Sequence, residues 1–556
     1  MVRKFLVSVV HKKISELHLA SYALTGMFLL SLIMAFARDR LLANIFGAGE
    51  ILDIYFAAFR IPDIIFALLV SFMSVYALLP FFERKLAESQ EKFKEFIDNT
   101  FSFFLTMLII ISAAAYILMP AIADIVFKGL DADVRENVIA LSRLLLLQPI
   151  FLGASSFFSS IAQLKHRFII FGLSPVLYNL GIILGIIFLN PIFGITGVVY
   201  GVVLGAIFHM ALVIPFLLSE KSLPRYRPKI KFDSEIIRVI KTSFPRAAVL
   251  SANNITLFVL IGIASLLSAG SISVFSFAYN LGQVPLTLIG VSYSVVSFPI
   301  LSKLFIEGKI DTFIQRLQTA LRHIIFWAFP AVAFFVVLRA HIVRIILGSG
   351  EFDWYDTRLT AAALAIFSIF IITQSISLLL IRACYASNKT MIPVVSSFLS
   401  TIVSVSIGLL FLKIYEANNE ISQSIAAAFR ILDVPGSEII ILPAAFVIGS
   451  VIQMSILLIY INAVYKLISR DVWLAFWKSA IAGGVFGLSA YVVLRLLDGV
   501  FDINTFIGVF MNGFIAAIVG IVAWFIILFI SRSRELLEFL DTARPVLLWA
   551  QSKIKR

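Results

Sequence analysis

Several charged side chains lie within or at the ends of long apolar stretches of this sequence, and five of them are candidates for function: Arg38, Asp39, Asp53, Arg60 and Arg246. A charge at the centre of a bilayer costs at least about 2.5–3.5 kcal/mol, so charges in membrane-spanning segments are candidates for function. Arginine guanidinium groups bind pairs of phosphate oxygens in a fixed geometry. Sparse arginines accompanied by a few acids therefore favour the binding of an anionic headgroup.

We expect four of these side chains to form one polar patch. Asp53 and Arg60 are seven residues apart, so they lie on one face of a helix, two turns from each other. Arg38 and Asp39 end the preceding apolar stretch. We therefore predict that Arg38, Arg60 and Arg246 bind substrate, and that Asp39 and Asp53 orient the arginines or gate the exit.

Most of these residues also have a structural interpretation. Arg38 and Asp39 could anchor the end of the first helix at the membrane interface, and Arg246 could extend to the cytoplasmic surface. Asp53 could be the N-cap of the second helix. Arg60 lies too deep in its stretch for such an extension, so a functional role is favoured there.

The residue patterns of other chemistries are absent from the sequence. The six histidines show no metal-ligand spacing, and there is no glycine-rich phosphate loop with its lysine. The single cysteine, Cys384, has no partner for an internal disulfide. We therefore predict a protein that is not an enzyme and has neither a metal site nor a cofactor.

The composition identifies the class of protein that must position these charges. Of 556 residues, 61% are hydrophobic and 14% are charged, and the mean hydropathy is +1.02. Soluble domains are about 45–50% apolar. These values exclude a soluble enzyme, a disordered chain and a secreted disulfide scaffold, and they indicate an all-α polytopic membrane protein.

Fourteen apolar stretches approach or exceed the roughly 20 residues that a spanning helix needs, with twelve as the alternative count. The first stretch ends without a small-residue cleavage site, so we interpret it as a retained helix. The stretches cover approximately 19–37, 54–81, 96–120, 138–163, 168–189, 192–218, 240–267, 271–300, 318–339, 358–384, 390–412, 439–464, 472–495 and 504–530.

The basic residues between the stretches orient the chain. With the N-terminus inside, 32 of the 45 Lys and Arg residues fall in inside segments and ten in outside segments. This asymmetry predicts a protein of the cytoplasmic membrane with both termini in the cytoplasm. It also explains the net charge of +13 without a nucleic acid partner.

An internal repeat relates the two halves of the chain. Ala48-Gly49 resembles Ala269-Gly270 at a separation of 221 residues, and prolines further along recur at similar separations. Each copy has six spans, which predicts two parallel six-helix lobes, plus two extra C-terminal helices, with a substrate site between the lobes. The predicted divisions are a cytoplasmic N-terminus 1–18, an N-lobe 19–218, a linker 219–239, a C-lobe 240–464, two further helices in 465–530 and a cytoplasmic amphipathic tail 531–556.

The sequence resembles the MurJ/MviN-type lipid II flippases of the multidrug/oligosaccharidyl-lipid/polysaccharide exporter superfamily over roughly residues 20 to 465. The matching stretch runs from Phe36 to Pro62 and includes Arg38-Asp39-Arg40, Phe46-Gly47-Ala48-Gly49 and Asp53. Weaker matches are Pro175 with Tyr178-Asn179, Pro245-Arg246 with Asn254, and Arg382-Ala383-Cys384-Tyr385-Ala386 with Pro393.

The resemblance implies a flippase that moves the undecaprenyl-diphosphate-linked peptidoglycan precursor, lipid II, from the inner to the outer leaflet by alternating access. It implies a cationic cavity and, among partners, the lipid bilayer and cell-wall synthases. Arg38, Asp39 and Asp53 match positions important in the family, and Arg60 matches a basic position.

The sequence departs from the family pattern at Leu32, Phe66-Ala67, Ser71-Phe72 and Tyr279-Asn280, where members often carry charges or other polar residues. Two alternatives therefore stand beside the lipid II flippase. One is a flippase for another polyprenyl-diphosphate-linked polysaccharide unit, and the other is a transport-dead scaffold for cell-wall synthesis.

Overall fold

The computed structural model describes residues 17–165, 167–228, 233–417, 419–502 and 504–541. Within these residues the chain is helical, and no strand occurs. Thirteen of the described helices are long and apolar enough to cross a membrane. Helix Leu17–Phe46 precedes them and is 30 residues long. The prediction of an all-α polytopic protein with about fourteen membrane helices is confirmed.

The contacts divide the chain into two compact units. The first unit comprises the residues up to Ser273 together with Ser349–Asp353. Its helices are Leu17–Phe46, Glu50–Ala58, Arg60–Ile65, Ser71–Met73, Val75–Glu88, Gln90–Val126, Ala132–Leu145, Leu147–Leu164, Phe168–Leu184, Asn190–Phe193, Ile195–Ala211, Ile214–Ser219 and Ser234–Ala264, with π segments Phe66–Val70 and Gly185–Leu189.

The second unit comprises Val274–Gly348 and the residues from Trp354 onward. Most of helix Ser271–Leu286 belongs to it. Its other helices are Ser292–Ile306, Ile310–Val337, Arg339–Ile346, Trp354–Ala386, Met391–Ala417, Asn419–Phe429, Ile441–Tyr465, Arg470–Leu496 and Phe506–Ile530, with a π segment Thr287–Val291 and a 3-10 turn Ser437–Ile440.

Helix Ser234–Ala264 is grouped differently by the structure and by the sequence. The predicted division assigned it to the C-lobe, whereas it packs against Arg60–Ile65, Val75–Glu88 and Gln90–Val126 of the first unit. The core of that unit is rich in phenylalanine, and its fully buried members include Phe82, Phe93, Phe104, Phe157 and Phe216. The predicted domain boundaries stay predictions.

Two spanning helices contain a π segment at equivalent positions of the repeat. Phe66–Val70 and Thr287–Val291 start 221 residues apart, which is the offset of the repeat in the sequence. Pro62 precedes the first segment and Pro285 the second. A proline in a helix removes a backbone hydrogen bond, and π segments often mark functional positions in helices. The backbone therefore agrees with the repeat that the sequence indicates.

Two glycine pairs bring helix Phe168–Leu184, with its π extension, close to helix Ile195–Ala211. A Cβ atom on any of these glycines would collide with the backbone of the opposite helix. Glycines spaced four residues apart permit this close approach in membrane proteins. The facing pairs are Gly181 with Gly205 and Gly185 with Gly201.

Two predicted segments lie largely outside the described residues. Of the predicted N-terminal segment 1–18, the structure describes only residues 17 and 18. Of the predicted tail 531–556, it describes residues 531–541. Within the described part of the tail, residues 534–541 are helical.

Candidate functional site

The Arg38 guanidinium is fixed by side chains from two helices. Its Nε and a terminal nitrogen lie 2.8 and 2.7 Å from Asp39 Oδ1, and its other terminal nitrogen donates to Asn179 Oδ1 over 2.9 Å. Asn179 Nδ2 in turn donates to the Pro175 carbonyl oxygen at 3.1 Å. Helices Leu17–Phe46 and Phe168–Leu184 pack together, so the orientation of Arg38 is built into their interface.

Further polar groups of the first unit surround this arginine. Tyr55 interacts electrostatically with Arg38 and Asp63, and Tyr178 interacts with the same two residues. Gln148 Nε2 donates to the Tyr178 hydroxyl oxygen at 3.1 Å. We call Arg38, Asp39, Tyr55, Asp63, Gln148, Tyr178 and Asn179 the Arg38 cluster.

Arg60 lies beside this cluster, at the start of helix Arg60–Ile65. Its Nε donates to the Phe56 carbonyl oxygen at 3.1 Å, and its charge interacts with Asp63 of the cluster. The side chain is half-buried. Arg38, Asp39 and Arg60, three of the four residues of the predicted patch, therefore belong to one polar region of the first unit.

Asp53 binds the turn that contains Gly270 and Ser273. One carboxylate oxygen accepts the Gly270 backbone N–H at 2.7 Å. The other accepts the Ser273 N–H at 2.7 Å and the Ser273 hydroxyl at 2.6 Å. These three donors occupy both carboxylate oxygens, and the predicted part of Asp53 in orienting the arginines or gating the exit stays a prediction. Asp53 is not the N-cap of its own helix, which begins at Glu50 after Gly49.

Loops of the first unit meet around Asp53. Gly270 has a left-handed backbone, with a φ of 90°, and a Cβ atom there would collide with the Ala48 carbonyl oxygen. In the same way Gly129 lies against the Ser265 backbone, and Gly350 against Asn44. We call these contacts, together with the hydrogen bonds of Asp53 to Gly270 and Ser273, the outer-loop cluster, because the predicted topology assigns all of these loops to the outside.

Arg246 follows Pro245 within helix Ser234–Ala264 and is half-buried. This helix packs against Arg60–Ile65, so Arg246 and Arg60 are carried by neighbouring helices.

Sequence reasoning did not select five members of the Arg38 cluster. Each is a polar residue inside an apolar stretch, which is the signal that could have found Tyr55, Asp63, Gln148, Tyr178 and Asn179. In the described part of the chain, no group of three or more His, Cys, Asp and Glu residues is arranged to hold a metal ion.

Comparisons with known proteins identify similar chains. The family model described as lipid II flippase MurJ matches residues 42–512. A probable lipid II flippase MurJ of Buchnera aphidicola is 26% identical over 384 residues, which cover 68% of this chain and 75% of the relative. The corresponding protein of Aquifex aeolicus is 26% identical over 389 residues, covering 69% and 75%.

Solved structures share the fold. A lipid II flippase MurJ in an inward closed conformation superposes with a TM-score of 0.71 at 21% identity, covering 95% of this chain and 99% of that one. An inward-facing MATE multidrug resistance transporter of the MOP superfamily gives a TM-score of 0.63 at 16% identity, covering 78% and 94%.

Proposed function

We propose, because this chain belongs to the lipid II flippase MurJ family, that it moves lipid II from the inner to the outer leaflet of the cytoplasmic membrane. The chain is a multi-pass membrane protein of a transporter family. We further propose that it works by alternating access without catalysing a covalent step, and that both of its termini lie in the cytoplasm.

The observation that carries this proposal is the fixed guanidinium of Arg38. A guanidinium has five N–H groups, and Asp39 and Asn179 together engage three of its nitrogens. About two N–H groups therefore remain for another acceptor. The side chain is 20% exposed, so it can be reached. A pair of N–H groups with a fixed direction fits the oxygens of a diphosphate.

The acids of the site have different parts in this proposal. Asp39 offsets the cost of holding Arg38 in an apolar environment, and it fixes the direction of its free N–H groups. Arg60 supplies a second positive charge, next to Asp63, and Arg246 supplies a third from the neighbouring helix. Asp53 stabilises the outer-loop cluster, which we propose keeps the outer side closed while the substrate binds.

The energy source in our proposal is an ion gradient or the membrane potential. Moving one elementary charge through the membrane potential is worth about 2.3 kcal/mol per 100 mV. An association with cell-wall synthases stays a prediction from the family resemblance.

The experiment is complementation of a bacterium depleted of its own lipid II flippase. We expect the wild type to restore growth and Arg38→Ala and Arg60→Ala to fail at equal membrane abundance. Arg238→Ala is the matched control, because Arg238 is an exposed arginine of the same unit outside the site.

The outcomes separate the candidate functions. Growth with Arg38→Ala and Arg60→Ala would refute the assigned site, while the assignment of lipid II as the cargo would stand. If a well-expressed wild type fails in several hosts, lipid II is not the cargo. A flippase for another polyprenyl-diphosphate glycolipid, or a scaffold without transport, then replaces this proposal.

A further inference from the structure

A polar cavity of about 520 Å³ lies in the second unit, whereas the residues of the Arg38 cluster belong to the first. It is formed by the first turns of helix Ile310–Val337, the start of helix Arg470–Leu496 and the tail after residue 533. Side chains that line it include Thr312, Gln315, Arg316, Thr319, Asp471 and Arg534.

One face of helix Ile310–Val337 is polar where it borders this cavity. Thr312, Gln315, Arg316 and Thr319 are three or four residues apart, so they share a helix face. The helix has 28 residues, which at 1.5 Å each gives about 42 Å. The hydrocarbon core is about 30 Å thick, so the polar first turns extend beyond it into the headgroup region.

Aromatic residues mark the same depth on the neighbouring helix. Trp473 and Trp477 are 55% and 50% exposed, and they lie within the two turns that follow Asp471 in helix Arg470–Leu496. Exposed tryptophans are enriched at the level of the lipid headgroups. The cavity therefore opens where phospholipid headgroups lie, on the cytoplasmic side in the proposed orientation.

The three arginines that line the cavity differ in the ion pairs and hydrogen bonds that they make. Arg322 is buried and pairs with Glu535 at 2.9 Å, which holds the tail against the helix as a wall of the cavity. Arg534 lies 3.1 Å from Glu538 and 3.5 Å from Asp471 and is largely exposed. Arg316 is exposed and makes no hydrogen bond or ion pair with the residues that the structure describes.

We propose that this cavity binds the phosphate of an anionic phospholipid headgroup. The Arg316 guanidinium contacts the phosphate oxygens, and Arg534 adds a second positive charge. Thr312 and Gln315 supply hydrogen-bonding groups for the rest of the headgroup. The headgroup depth and a volume well above that of one phosphate ion favour a lipid over free phosphate. Basic pockets beside membrane helices on the cytoplasmic side bind such headgroups in other proteins.

Native mass spectrometry of the full-length protein in detergent tests this proposal. Phosphatidylglycerol and phosphatidylcholine with identical acyl chains are titrated in parallel. We expect phosphatidylglycerol to bind more tightly to the wild type. Arg316→Gln weakens that preference about fivefold, since a surface arginine contributes about that factor to the binding of anionic lipid. Asp471→Asn removes an opposing charge and strengthens the preference.

The control is Arg238→Gln, which removes an exposed arginine from the other unit. Equal binding of the two lipids would overturn the proposal, as would equal effects of Arg316→Gln and Arg238→Gln. Inorganic phosphate at millimolar concentration distinguishes the source of the anion. If it displaces the lipid completely and binds by itself, the cavity is a site for free phosphate, and the lipid assignment is wrong.

Discussion

Replacing Asp53 by Asn should open the outer-loop cluster. The Asp53 carboxylate is 3% exposed and accepts hydrogen bonds from the Gly270 N–H, the Ser273 N–H and the Ser273 hydroxyl. An asparagine side chain has one oxygen, and its amide nitrogen cannot accept from a backbone N–H. At least one backbone donor therefore loses its acceptor in Asp53→Asn.

The size of the effect follows from that lost bond. A hydrogen bond to a charged group contributes about 1.5–3 kcal/mol, and each 1.4 kcal/mol is a factor of ten in an equilibrium constant. The open form of the cluster should therefore increase about 10- to 150-fold.

Cysteine labelling measures this opening. Ser271 is 2% exposed in the helix turn that Asp53 contacts, so Ser271→Cys introduces a nearly isosteric reporter. The natural Cys384 is 1% exposed, and Cys384→Ala removes it from the background. We expect Asp53→Asn to accelerate maleimide labelling of the reporter by the factor above.

Glu50→Gln is the matched control for this measurement. Glu50 is exposed and lies in the first turn of the same helix, so the substitution removes the same charge without touching the cluster. If Asp53→Asn and Glu50→Gln label at the same rate, the three hydrogen bonds do not hold the loops, and the reasoning is refuted.

Three further predictions concern single side chains. Glu535→Gln removes the nearer of the two anions of the buried Arg322 guanidinium and leaves Glu538 at 3.7 Å. The free energy of unfolding should therefore fall, by less than the roughly 3–5 kcal/mol of a fully unpaired buried charge; a thermal shift in detergent checks this, and an unchanged Tm contradicts it. Burial lowers the pKa of His341, so below about pH 6.5 the unfolded chain takes up a proton before the folded chain does. The free energy of unfolding should therefore decline as the pH falls. Melting curves from pH 7.5 to 5.5 check this, and His341→Gln should flatten the decline. Asn179→Ala removes an acceptor of Arg38 and should reduce transport about tenfold or more at normal protein abundance; full complementation would show that Arg38 needs no second anchor.

The fold could be predicted from the sequence because the bilayer imposes a single requirement on every span. Each span needs about 20 apolar residues with internally satisfied backbone groups, and this pattern is visible without knowledge of tertiary contacts. The subdivision of the second span could not be predicted in the same way. Glu50–Ala58, Arg60–Ile65 and the π segment Phe66–Val70 lie in or next to a single predicted span, and only Pro62 indicates a local disturbance of the helix.

The candidate site could be predicted only as far as its charges. Arg38 and Asp39 are adjacent in the sequence, so their ion pair follows from local geometry. Asn179, which completes the anchoring of Arg38, lies 141 residues away. A neutral amide in an apolar stretch costs less than a charge, so it gives a weaker signal. Asn179 contacts Arg38 because their two helices pack against each other, and the sequence does not show which helices are neighbours.

Asp53 shows a second limit of sequence reasoning, because capping rules are local. The rules associate an acid near a helix start with that helix, whereas Asp53 accepts hydrogen bonds from Gly270 and Ser273 of the other repeat copy. At the repeat offset of 221 residues the position equivalent to Asp53 is Val274, whose side chain cannot accept a hydrogen bond. The side-chain contact between the repeated loops is therefore one-sided, with its acceptors on Asp53, and the Gly49 carbonyl oxygen also accepts the Ser273 hydroxyl at 3.4 Å. No equivalent residue can take over when this carboxylate is lost, which is why a single substitution is expected to open the cluster.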